Sequence, residues 1–163
     1  MVFIVTPLHS DSAYGQFKVR QIPGNNYARL GCPEDGNTGY DLYVQQDIIL
    51  QPNLPVRLKH AICVEPPEGY QFSIRPRSST LMKFMSGIDV IAPLYVQYGT
   101  VDPSYRGELM TNIVNLGLNS VTLEAGERVS QLVLLPVIVR AFEYVDELSE
   151  TNRGDKGHGS SGR

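Results

Sequence analysis

Five short stretches of this chain carry side chains that a packed interior does not need. "TGYDLY" places Asp41 among aromatics, and "RPRSST" sets Arg75, Arg77, Ser78 and Ser79 together. "GTVDPSYRGEL" gathers Asp102, Tyr105, Arg106 and Glu108 into one bend, and "GERVSQL" puts Gln131 in an otherwise apolar run. The chain closes on "RGDKGHGSSGR", where glycine amides, Ser160, Ser161 and Arg153 could close over an anion. Each stretch alone has an ordinary explanation. Asp41 suits a turn, the arginines a solvated pair, and Asp102-Pro103 a type I turn. Gln131 suits a satisfied backbone bridge, and the tail a frayed end. Together they supply what hydrolysis of a nucleoside triphosphate needs. Carboxylates orient metal and water, while guanidinium groups, hydroxyls and amides hold phosphates.

The bulk properties limit how such a site could work. The 163 residues suit one domain with a proper core, and 42% hydrophobic against 19% charged residues is an ordinary globular balance. A net charge of −3 argues against broad binding to nucleic acid or membrane, so an anion must be met by a local cluster. No apolar run approaches a membrane span, and "MVFIVTPLHS" lacks the basic start of a signal peptide. Cys32 and Cys63 form no CxxC pair, which predicts reduced thiols and a cytoplasmic protein.

Short Val-, Ile- and Tyr-rich runs bounded by Gly, Pro, Asn and Asp must position these residues, and they predict an all-β sandwich, jelly roll or barrel. The runs are "MVFIV", "QFKVRQI", "YDLYV", "DIILQ", "VRLKHAICVE", "YQFSIRP", "DVIAPLYV", "ELMTNIVNLG", "SVTLEAG" and "RVSQLVLLPVIV". The 11 prolines and 15 glycines suit the many turns such a fold requires. Only "STLMKFM" predicts a short helical turn.

The segments "TGYDLY", "RPRSS", "GTVDPSYRGE", "GERVSQL" and "RGDKGHGSSG" resemble, in order, the five motifs of the homotrimeric dUTPase family, across roughly residues 38 to 162. The third and fifth are the specific ones. The resemblance implies a jelly-roll-like β-clip domain over residues 1–150, with a flexible C-terminal arm over 151–163. It implies hydrolysis of dUTP to dUMP and pyrophosphate by water attacking the α-phosphorus. Mg²⁺ would be held by the substrate phosphates, with no direct protein ligand, and would reach Asp41 through water.

The same resemblance implies the roles of individual residues. Asp102 would activate the water, with Asp41 and Gln131 completing the catalytic network. Arg77, Ser78 and Ser79 would contact phosphate. Tyr105 would lie under the deoxyribose and exclude a 2′-hydroxyl. Gly99 and Val101 would read the uracil edge through backbone groups. Arg153, Gly157, His158, Gly159, Ser160 and Ser161 would form the arm, and the active sites would be shared between subunits of a homotrimer.

Some positions depart from the family pattern. His158 stands where phenylalanine usually stacks on the base, and Ser79 replaces a glycine. The segment from "STLMKF" to "LYVQYG" is a few residues longer. "RSST" and "DPSY" lean towards the related dCTP deaminases, which need a glutamate as proton carrier where this chain has Asn112. Glu108 lies four residues earlier, where an even strand offset keeps the same face. Three alternatives therefore stand beside dUTP hydrolysis: a hydrolase that also accepts dCTP or a modified pyrimidine, a deaminase, and a non-catalytic binding module.

Overall fold

The computed structural model describes residues 16–33, 37–80, 83–84, 91–152 and 154. The first strands are β1 (Lys18–Gln21), β2 (Leu30–Gly31), β3 (Gly39–Tyr43), β4 (Ile48–Leu50) and β5 (Pro55–Lys59). Then come β6 (Ile62–Glu65), β7 (Tyr70–Pro76), β8 (Lys83–Phe84), β9 (Ile91–Ala92) and β10 (Leu94–Val96). The chain continues through β11 (Gly99–Val101), β12 (Met110–Asn115), β13 (Val121–Leu123) and β14 (Arg128–Pro136). No helix occurs among the described residues, so none there is long and apolar enough to cross a membrane.

The strands form a five-stranded sheet in the order β11-β7-β14-β3-β2 and a three-stranded sheet, β10-β12-β5. Among the described residues the pairs β1-β6, β13-β4 and β8-β9 make up the rest of the sheet structure. Alternation explains the large sheet. Phe72 and Ile74 of β7 point inward with Leu42 of β3 and Leu132 of β14, and Gln71, Ser73 and Arg75 take the other face. Ile62 and Val64 of β6 cover that apolar face, giving one core cluster. A second cluster joins Leu58, Ile113, Leu94 and Val96 of the smaller sheet to Leu50, Val121 and Leu123 of the β4-β13 pair. Each fully buried Leu or Phe contributes about 1.5–3 kcal/mol relative to exposure.

Four local expectations differ from the structure. "DVIAPLYV" is not one strand but splits at Pro93 into β9 and β10, which belong to different sheets. "VRLKHAICVE" is not one strand, because it breaks at His60–Ala61, where Ala61 adopts φ 55°. A left-handed alanine is disfavoured by roughly 1–2 kcal/mol. Tertiary bonds hold it there: the Ala61 N–H donates to Glu108 Oε1 at 2.9 Å and the His60 N–H to the Leu109 carbonyl at 3.1 Å. In "STLMKFM", Ser79 and Thr80 lie in a turn closed by the Thr80 N–H on the Arg77 carbonyl at 3.0 Å. Lys83–Phe84 form strand β8 rather than a helical turn, and residues 81, 82 and 85 lie outside the described residues. β14 stops at Pro136, opposite Tyr70, where its partner β7 begins. Beyond that point Val137 bonds to the turn preceding β7 through the Gly69 carbonyl. The predicted strand "MVFIV" lies outside the described residues.

Candidate functional site

The large sheet carries Asp41, Arg75 and Gln131 on the face turned away from the core. Opposed residues of neighbouring strands share a face, and β14 sets Gln131 against Asp41 of β3 on one side and Arg75 of β7 on the other. Asp41 is the carboxylate of that row, and two guanidinium groups hold it. Arg77 Nε lies 2.6 Å from Asp41 Oδ1, both side chains being about one-fifth exposed, while Arg128 Nη1 lies 3.3 Å from Oδ2. Arg77 also donates to Ser79 Oγ at 3.3 Å and to the Arg128 carbonyl at 3.4 Å. Two cations around one carboxylate leave a net positive charge. It faces a cleft of about 490 Å³ lined by Arg77, Ser79, Thr80, Arg128 and Tyr43.

Gln131 is held as firmly. Its Nε2 donates to the Pro76 carbonyl at 2.9 Å, the strand end that leads into Arg77. Gly39 opens the space for it: a Cβ there would collide with Gln131 Oε1 and stand 2.7 Å from Cδ. The glycine of "TGYDLY" is therefore a packing requirement of the glutamine in "GERVSQL". Ser78 is exposed in the turn beside Arg77.

Asp102, Tyr105, Gly99 and Val101 lie elsewhere. Gly99 and Val101 belong to edge strand β11, paired with Ile74 and Phe72. Asp102 is exposed and opens a turn closed by the Tyr105 N–H on its own carbonyl at 3.0 Å. The Tyr105 ring folds over Gly107, where a Cβ would stand 2.5 Å from Cζ, and its hydroxyl donates to the Glu108 carbonyl at 2.9 Å. Arg106 ties the bend together through the Pro103 and Tyr105 carbonyls. The register puts three strand spacings and about four residues between this turn and Asp41, a separation of roughly 19 Å. Within one chain the residues form two groups, not one.

The two residues weighed for deamination are engaged in bracing. Glu108 accepts from Ala61 N–H and pairs with Lys59 Nζ at 3.6 Å. Asn112 accepts from Arg57 Nε at 3.1 Å and donates to Gln97 Oε1 at 2.9 Å. Sequence reasoning missed Arg128. Three residues before Gln131, it belongs by simple alternation to the opposite face, and no local signal says otherwise. Arg153, Gly157, His158, Gly159, Ser160 and Ser161 lie outside the described residues. Among the described residues no cluster of three His, Cys, Asp or Glu side chains could hold a metal.

The dUTPase family model matches residues 30–162, an interval containing both groups. The chain belongs to the dUTPase family. A deoxyuridine 5′-triphosphate nucleotidohydrolase of Ehrlichia canis is 36% identical over 149 residues, covering 89% of this chain and 94% of that relative. The corresponding enzyme of Bdellovibrio bacteriovorus is 41% identical over 130 residues, covering 78% and 83%. Among solved structures, the dUTPase of Staphylococcus bacteriophage 80alpha with dUPNHPP superposes with a TM-score of 0.77 at 26% identity, over 91% of this chain and 99% of that one. The all-β fold read from the strand pattern is the fold of this dUTPase.

Proposed function

We propose that the protein is a dUTP diphosphatase, converting dUTP to dUMP and pyrophosphate. The observation that carries this reading is the Asp41 carboxylate held between Arg77 and Arg128 beside Gln131, a cationic face on a family dUTPase sheet. Arg77 and Arg128 meet the triphosphate, with Ser78 and Ser79 adding hydroxyl donors as charge builds on the leaving pyrophosphate. Asp102 accepts a proton from the attacking water and holds it in line with the α-phosphorus. Tyr105, pinned by Gly107 and the Glu108 carbonyl, offers a fixed ring to the deoxyribose and leaves no room for a 2′-hydroxyl. Backbone groups around Gly99 and Val101 read the uracil edge. The arm residues Arg153, Gly157, His158, Gly159, Ser160 and Ser161 close over base and phosphates.

The donor set fits the Mg²⁺ of the family. Asp41 is a single carboxylate, and no cluster of three His, Cys, Asp or Glu side chains forms a cage among the described residues, which suits a hydrated ion carried on substrate oxygens. Asp41 would hold such an ion through water. When bound, Mg²⁺ neutralises phosphate charge and orients the triphosphate.

The active form is a homotrimer with shared sites. Support comes from the roughly 19 Å between the backbone positions of Asp102 and Asp41, which leaves them in separate groups within a chain. Further support comes from Ile138, Val139, Phe142, Tyr144 and Leu148, whose apolar side chains stand exposed beyond β14 and suit burial against a neighbour. A cytoplasmic setting belongs to the same reading, consistent with free thiols at Cys32 and Cys63.

The test is pyrophosphate release measured in parallel on dUTP, dCTP, dTTP and UTP, for the natural chain and for Asp102→Asn. The natural chain should turn over dUTP with Mg²⁺. The variant keeps the shape of Asp102 but loses the proton acceptor, so turnover should fall by at least ~10² while dUTP still binds. Near-normal turnover in Asp102→Asn, or preference for another nucleotide, would overturn the assignment.

A further inference from the structure

β14 carries one residue more than its partner. Arg128 opposes Tyr43 and Ser130 opposes Leu42, so Val129 is the extra residue of a β-bulge. Arg128 and Gln131 are three residues apart, and in an even strand they would point to opposite faces. The bulge absorbs one residue, so they stand opposite Tyr43 and Asp41, on one face. Without it, Arg128 would turn into the core and its contact with Asp41 would be lost.

Two sets of buried polar contacts surround the extra residue. The Val129 carbonyl accepts from Thr80 Oγ1 at 3.0 Å. On the far side of the bulge, Ser130 Oγ lies 2.7 Å from Thr111 Oγ1, which lies 2.7 Å from His60 Nε2. His60 Nδ1 lies 3.0 Å from the carbonyl of Tyr43, the residue opposite the start of the bulge. The chain of bonds therefore leaves β14 just after the bulge and returns to β3 across from it. His60, Thr111 and Ser130 are each 1% exposed or less.

Elementary chemistry sets the direction of this chain. A carbonyl only accepts, so His60 Nδ1 carries the proton and donates to Tyr43. In the neutral ring Nε2 then accepts from the Thr111 hydroxyl, which in turn accepts from Ser130. The bonds then run in one sense, from Ser130 through Thr111 and His60 to the Tyr43 carbonyl, which Gln45 Nε2 also meets at 3.1 Å.

We propose that His60, Thr111, Ser130 and Thr80 are positioning residues that hold the bulge at Val129, and with it the Arg128–Gln131 wall of the phosphate site. The inference rests on the diphosphatase reading for its effect on turnover, but the geometry of the bulge does not. Thr111→Val keeps the shape and removes the central hydroxyl, whereas Thr111→Ser keeps the hydroxyl and removes a methyl. In Thr111→Val, kcat/KM for dUTP should fall by roughly tenfold or more, because small misplacements of site groups are costly. Thr111→Ser should recover most of it. A chain that only stabilised the core would lower the unfolding temperature and leave kcat and KM unchanged below it.

A second readout needs no turnover. The backbone amide NMR shifts of Arg128, Val129, Gln131 and Asp41 should move in Thr111→Val and return in Thr111→Ser. If natural protein released no pyrophosphate from dUTP, the functional reading would fall while these shifts still decided the bulge. Should Thr111→Val fail to fold, Thr80→Val tests the same bulge through its other bond, with the same shifts expected. Folded variants with unmoved shifts and natural kcat and KM would overturn the proposal.

Discussion

Co-refolding two inactive chains tests whether one site draws on two subunits. Asp41→Asn disables the arginine-bound group, and Asp102→Asn disables the turn after β11. In the proposed homotrimer, either chain alone then lacks one half of every site. The register separates the two positions by roughly 19 Å in one chain, whereas water attacking a phosphorus must sit within about 3–3.5 Å of it. If each site takes Asp41 from one subunit and Asp102 from a neighbour in a cyclic trimer, every mixed trimer contains one complete site. Random assembly of equal amounts then restores about a quarter of natural activity, since about three-quarters of trimers are mixed and each has one intact site of three. The assay is pyrophosphate release after joint unfolding and refolding, with subunit composition read by native mass. Mixing without exchange serves as the blank. If trimers shown by mass to be mixed stay inactive, both aspartates serve the same chain and the shared-site reasoning is wrong.

Gly39→Ala should separate Gln131's orientation from overall stability. The new Cβ would collide with Gln131 Oε1 and stand 3.2 Å from its Cβ, so rotating the amide alone cannot clear it. Gln131 then gives up the Pro76 carbonyl, a loss of about 1 kcal/mol offset by up to about 1 kcal/mol from removing a strand glycine. Thermal unfolding should therefore change little, while kcat/KM for dUTP falls roughly tenfold or more; natural turnover would remove Gln131 from the catalytic network. The acid limb of stability should report His60, whose imidazole burial holds below its usual value of 6.5, against the Tyr43 hydrogen bond and the Glu108 charge. The unfolded chain protonates first, so the neutral ring's contribution is complete above about pH 6.5 and is lost as the pH falls towards the lower folded value, by at most ~1.4 kcal/mol per pH unit. Urea unfolding across pH 5–7 should show that slope in the natural chain and a flatter one in His60→Gln.

What the sequence by itself determined follows from local alternation and composition. "YQFSIRP" coincides with β7 because Phe72 and Ile74 alternate with polar neighbours, and period two needs no knowledge of the partner strand. The five polar stretches and their order were equally legible, since residue type and spacing are local properties. What the tertiary structure decided depends on pairing. "VRLKHAICVE" reads as one strand because nothing in its composition signals a left-handed Ala61; a carboxylate 47 positions away holds that turn. Arg128 reads as facing away from Gln131 because alternation cannot count an extra residue. A bulge exists only relative to the opposite strand, and here buried hydroxyls from residues 80 and 111 surround it. The resemblance implies sites shared between subunits, but how far apart the two groups lie within one chain was not legible in the motif order. The strand order β11-β7-β14-β3-β2 sets it, and hydrogen bonds between strands distant in sequence determine that order.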